Sequence, residues 1–158
     1  MKSHCTIILL ALFIFSCSTD DNEAEIACSL LTPVSNNLYI NLVNTQGENL
    51  IENDSYQADG ISINNLSNGT TSTNLVLENV EGLENFITLG AIGQDGDNTF
   101  EINLSSTETD ILILNLTVER IGGDCPQTIY KLNTAVYNGE AQQVQDYGGE
   151  PLITVVKD

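Results

Sequence analysis

From Asn37 onward, apolar residues fall every second position or in short runs, separated by clusters of Asn, Asp, Gly and Ser. Period-two patterning of this kind is the mark of β-strands, and no stretch keeps a helical period between two caps. Asn37 to Asn44 reads as a strand with Leu38, Ile40 and Leu42 on one face and Tyr39, Asn41 and Val43 on the other. The turn Gln46-Gly47-Glu48-Asn49 leads to Leu50-Ile51, expected as its hairpin partner, and Asn53 to Gly60 is a polar loop. Ile61 to Leu66 and Thr73 to Val80 flank Asn68-Gly69, a dipeptide suited to the positive φ of a tight turn. Phe86 to Ile92 and Thr99 to Leu104 are expected to pair as a hairpin across Gly93 to Asn98. Ile111 to Glu119 is the strongest core strand, with Leu112, Leu114, Leu116 and Val118 on one face and its first half expected to be covered on both. Thr128 to Tyr137, closed by Asn138-Gly139, and Leu152 to Lys157 complete the series. Eight or nine short strands at spacings of about 8 to 14 residues predict an all-β, antiparallel two-sheet sandwich.

The first 36 residues follow a different pattern. Lys2 and His4 precede nine consecutive apolar residues, Ile7 to Phe15, and Ser16 then Cys17 follow. This is the three-part layout of a secretory signal, and the apolar run is about half the roughly 18 residues a spanning helix needs. With a cysteine at the boundary, the segment resembles the signal of bacterial lipoproteins, in which the thiol accepts a diacylglycerol and becomes the new N-terminus. Ile14 and Ser16 fit that pattern, whereas Phe15 is larger than its usual small residue. Ser18-Thr19-Asp20-Asp21-Asn22-Glu23 resembles the acidic tract that directs Bacteroidota-type lipoproteins to the outer face of the outer membrane. The resemblance covers Met1 to about Glu25 and implies lipid attachment at Cys17 with the body facing the cell exterior. The expected organisation is a signal peptide over 1–16, a lipidated cysteine and acidic tether over 17–35, and the sandwich over 36–158. Two or more acyl chains hold a protein stably where one does not.

Cleavage before Cys17 leaves Arg120, Lys131 and Lys157 against 22 acidic residues, a side-chain balance of −19. Nucleic acid is thereby excluded as a partner, because phosphate binding rests on clustered Lys and Arg. His4 is the sole histidine and lies in the leader, so the mature chain lacks the commonest general base and the usual ligand of zinc. No catalytic constellation is expected, and the chain reads as no enzyme.

Two cysteines other than Cys17 remain outside the leader, Cys28 and Cys125. In an oxidising compartment they are expected to pair, and a bond between them would close a loop that contributes roughly 4 to 5 kcal/mol in the chain-entropy model. The strand rhythm resembles immunoglobulin-like or transthyretin-like sandwiches in architecture alone, since no tryptophan accompanies these cysteines. No cofactor is required by any motif. Asp95 and Asp97, with Asn98, are the candidate oxygen ligands for calcium, although the tract lacks the distal Glu of the helix-loop-helix calcium site. The expected function is therefore a lipid-anchored, non-catalytic binding or structural sandwich that meets a protein or glycan partner. A calcium-stabilised adhesion-type module, and below it a carboxylate-based hydrolase, are the alternatives. The loops Glu52 to Gly60 and Gly139 to Pro151 are the expected binding surface.

Overall fold

Leu38, Ile40 and Leu42 are wholly buried on β1 (Asn37–Val43), the first strand of the computed structural model, which describes residues 37–123 and 125–157. Ten more strands follow: β2 (Ser62–Asn65), β3 (Thr70–Thr73), β4 (Val76–Leu77), β5 (Phe86–Gly90), β6 (Gly96–Asn103), β7 (Thr109–Ile121), β8 (Gln127–Tyr137), β9 (Glu140–Gln142), β10 (Gln145–Tyr147) and β11 (Glu150–Val156). They form one sheet in the order β10-β11-β1-β5-β4 and a second in the order β3-β2-β6-β7-β8-β9. The predicted all-β two-sheet sandwich is the observed fold.

The core lies between the two inner faces. Leu38, Ile40, Ile87 and Ile153 come from the first sheet, and Ile63, Phe100, Ile102, Leu112, Leu114 and Leu116 from the second. Each such side chain contributes about 1.5 to 3 kcal/mol by leaving water. All four edge strands are four residues or shorter.

Four local expectations are corrected. The predicted Thr73–Val80 strand is split: Asn74, at φ 56°, and Leu75 carry the chain from β3 in one sheet to β4 in the other. Likewise β5 and β6 lie in different sheets, so Gly93 to Asp95 belongs to a crossing and not to a hairpin turn. Strand pattern alone cannot separate these cases, because a strand that switches sheets keeps its inward residues inward. Leu50-Ile51 forms no strand; a single bridge joins Val43 to Asn49, and the Leu50 N–H donates to the Leu42 carbonyl at 2.9 Å. Ile111 is exposed, so β7 is covered on one face only at that point.

Two further features lie beyond the sequence pattern. The segment expected as a loop after Asn138-Gly139 holds β9 and β10, each joined to its neighbour by a two-residue turn: Asn138-Gly139 at φ 48° and 85°, and Gly148-Gly149 at φ 65° and 92°. Left-handed φ at both positions matches the twist of the flanking strands. β1 and β11, moreover, pair in parallel from Tyr39↔Leu152 to Val43↔Val156 in an otherwise antiparallel structure. Beyond Leu116, β7 pairs with β8 alone among the described strands, and a register shift between Asn115 and Leu116 marks where this two-stranded ribbon begins.

Truncating the centre of the core tests this arrangement. Leu114→Ala is expected to lower unfolding free energy by about 2 to 5 kcal/mol in denaturant titration. Ile121→Thr, on the exposed ribbon, is expected to change it by about 0.5 kcal/mol or less.

Candidate functional site

Asp110 occupies an inward position of β7, in phase with Leu112 and Leu114, and its side chain is 7% exposed. A carboxylate so placed must be matched or it costs several kcal/mol. Its Oδ1 accepts from Asn138 Nδ2 at 2.7 Å, and its Oδ2 accepts from the Tyr137 hydroxyl at 2.7 Å and from the Lys157 ammonium. Lys157 follows β11 in phase with Ile153 and Val155, its side chain 13% exposed, so this contact ties one sheet to the other. The same ammonium lies 2.7 Å from Glu108 Oε1 and 5.6 Å from the centre of the Tyr56 ring, and Tyr56 donates its hydroxyl to Glu108 at 2.9 Å.

Backbone bonds fix the members of this cluster. Asn138 sits in the β8–β9 turn, accepts the Ile111 N–H on its side-chain oxygen at 2.8 Å and donates its own N–H to the Ile111 carbonyl at 2.8 Å. Lys157 N–H donates to the Val43 carbonyl at 2.8 Å, which continues the β1–β11 ladder to the cluster.

Burial is the largest influence on both partners of the central pair, and it favours their neutral forms. Hydrogen bonds from Lys157, Asn138 and Tyr137 outweigh it at Asp110, whose carboxyl is held below its ordinary value. Bonds to Asp110 and Glu108 outweigh it at Lys157, whose ammonium is held above its own. Burial, then the bond to Asp110, pushes the Tyr137 phenol far upward, and burial followed by Glu108 raises Tyr56. The cluster is thus an ion pair with two protonated phenols around it at neutral pH.

A cleft of about 410 Å³ opens beside it, lined by Tyr137, Asn138, Glu140, Ala141, Gln142 and the stretch Thr154 to Lys157. Both loops expected to carry a binding surface reach this end of the molecule, Glu52 to Gly60 through Tyr56 and Gly139 to Pro151 through β9. A second cleft of about 500 Å³ lies on the first sheet around Asn41, Phe86, Glu48, Glu52 and Glu84. There Glu48 accepts from Asn44 and Glu84 from the Gly82 N–H, so both carboxylates brace their own turns.

The residues singled out from sequence are placed as follows. Asp95 Oδ1 accepts the Val118 N–H at 3.0 Å, and Asp97 Oδ1 accepts from Asn115 Nδ2 at 2.6 Å. Asn98 is fully buried and closes the loop on itself: its oxygen accepts the Gln94 N–H while its amide donates to the Gln94 and Gly96 carbonyls. A Cβ on Gly93 would fall 2.1 Å from that oxygen, so glycine is required there. Each of the two calcium candidates thus braces the β5–β6 crossing through one carboxylate oxygen, and among the described residues no group of three or more His, Cys, Asp and Glu is placed to hold a metal ion. Cys17 and Cys28 lie outside the described residues, and Cys125 lies in the β7–β8 connection. The ionic cluster itself was missed by sequence reading. Its signal was an acid in phase with the core leucines of β7 and a lysine in phase with Ile153 and Val155.

No family model, no curated protein and no solved structure matches this chain.

Lys157→Met leaves Asp110 buried without its counter-charge and is expected to cost about 3 kcal/mol of unfolding free energy. While Lys157 and Asp110 stand as an ion pair, stability follows both titrations. The Asp110 contribution is complete above its ordinary value of 3.8 and is lost as pH falls through the depressed value. The Lys157 contribution is complete below 10.5 and is lost as pH rises through the raised value. Denaturant midpoints measured across pH are expected to fall at both extremes and to lose most of that dependence in a Lys157→Met, Asp110→Leu double variant.

Proposed function

We propose that the chain is a lipoprotein anchored in the outer membrane by a lipidated Cys17, its β sandwich facing the cell exterior as a non-catalytic binding or structural module. The observation that carries this reading is the order basic start, nine apolar residues, Ser16, Cys17 and then the acidic tract Ser18 to Glu23. The charge of the folded body supports it. Lys131 is paired with Glu119 at 2.6 Å and Lys157 with Glu108 and Asp110, so two of the three cations of the mature chain are neutralised locally. A body with that excess of acid is not drawn to anionic lipid, so covalent acylation supplies the attachment that charge does not. Solubility and separation from the membrane surface follow from the same charge.

In this reading the partner is a protein or a glycan, and the cleft beside β9 is the surface offered to it. Its lining of Gln142 and Thr154 supplies neutral hydrogen-bonding groups on a rigid strand frame. The pairing of Cys28 with Cys125 belongs to the same proposal and rests on their being the two thiols left outside the leader once Cys17 is lipidated. Such a bond would hold the beginning of the mature body to the β7–β8 connection.

Cys17→Ser is expected to abolish incorporation of labelled fatty acid and to release the protein from membranes; continued labelling would refute the anchor. Protease added to intact cells is expected to remove the wild-type protein, and protection until the outer membrane is breached would place the body in the periplasm instead. Peptide mapping without reductant is expected to recover Cys28 joined to Cys125.

A further inference from the structure

We infer that Lys157 and Asp110 are the two halves of an internal isopeptide bond: the buried lysine condenses with the buried aspartate, and Glu108 carries the proton. The inference rests on the cluster geometry and is independent of the membrane reading.

Three requirements of amide formation meet at this point. The amine and the carboxyl must be held together: Lys157 Nζ contacts Asp110 Oδ2, with both side chains almost wholly out of water. Reactants fixed in this way behave as if at effective concentrations of about 10⁵ M or more, which offsets the reluctance of a carboxylate to accept a nucleophile. A base must accept the ammonium proton, and Glu108 Oε1 is 2.7 Å from Nζ. The carboxyl must also be polarised, and Asn138 Nδ2 donates to Oδ1 while the Tyr137 hydroxyl donates to Oδ2, each at 2.7 Å. Those donors stand where negative charge grows as the amine adds.

The step balances without a further reactant. The Lys157 ammonium passes one proton to Glu108, and the freed lone pair adds to Cγ of Asp110. The Cγ–Oδ2 bond then breaks, and Oδ2 leaves as water, taking back the proton from Glu108 and a second from the nitrogen. Oδ1 remains as the amide oxygen, still bonded to Asn138. One C–N bond replaces one C–O bond, one water is released, and nothing is oxidised or reduced.

Burial favours the neutral product and acts against the hydrogen bonds that hold the pair ionised. In water, a separated ammonium and carboxylate are favoured over the amide because both are well hydrated. Here that hydration is largely gone, and condensation turns a desolvated ion pair into a neutral group. The product joins the end of β11 in one sheet to the start of β7 in the other and closes a covalent ring containing β7 through β11. A body exposed to proteases and to mechanical load would keep its last strand in place.

Mass mapping of the full-length protein, reduced, denatured and digested, tests this directly. The expected result is a branched peptide in which the Asp110 segment is joined to the Lys157 segment, lighter than their sum by one water. Lys157→Arg keeps the ion pair but lacks the reactive amine, and is expected to give the two segments separately. Glu108→Gln is expected to slow the linkage by about 10²-fold or more. Separate segments from folded wild-type protein held for days at neutral pH would overturn the proposal, as would a branch from Lys157 to Glu108. Linkage at the wild-type rate in Glu108→Gln would overturn the assigned proton path.

Discussion

A carboxylate inside a hydrophobic sandwich is the constraint around which one end of this molecule is built. Asp110 points into the space between the sheets, where nothing but a matched set of donors makes its presence tolerable. Three places in the fold supply them: β8 gives Tyr137, the β8–β9 turn gives Asn138, and the residue after β11 gives Lys157. Because these donors come from both sheets, the relative position of the sheets at this end is set by hydrogen-bond geometry as well as by apolar packing. Removing one partner is costly for the same reason.

The parallel pairing of β1 and β11 delivers Lys157 to that place. Five residue pairs align the two strands, and the bond from Lys157 N–H to the Val43 carbonyl adds the next rung. The first and last strands of the described fold are thus neighbours, and the ladder between them fixes where the final lysine emerges. Loss of the ladder would withdraw the counter-charge from Asp110, and loss of the counter-charge would loosen the last strand. The two features are coupled, so β11 and the buried pair hold each other in place.

The acidic composition acts elsewhere. Nearly all the acids of the described chain are exposed or half-buried and govern solubility and repulsion of anionic surfaces. Asp95 and Asp97 illustrate a second use: each accepts one hydrogen bond from β7, and with Asn98 and Gly93 they shape the crossing between sheets. Their clustering in sequence resembled a cation site, but an Asp-Gly-Asp-Asn run suits a chain crossing just as well. The spacing of such residues alone does not distinguish a ligand set from a set of backbone props.

By itself, the sequence determined the class of fold, because alternation at Leu38-Ile40-Leu42, Phe100-Ile102-Leu104 and Leu112-Leu114-Leu116 is a local property that survives any arrangement of the strands. It also determined the turns at Asn68-Gly69 and Asn138-Gly139, where positive φ is required at specific positions. Which strands share a sheet was a tertiary decision: the crossing at Asn74-Leu75 and the separation of β5 from β6 depend on pairing partners far along the chain. So was the cluster of Tyr56, Glu108, Asp110, Tyr137, Asn138 and Lys157, whose members are up to about a hundred residues apart. Inward phase could mark Asp110 and Lys157 as unusual, but only the closing of β11 against β1 could show that each is the other's counter-charge.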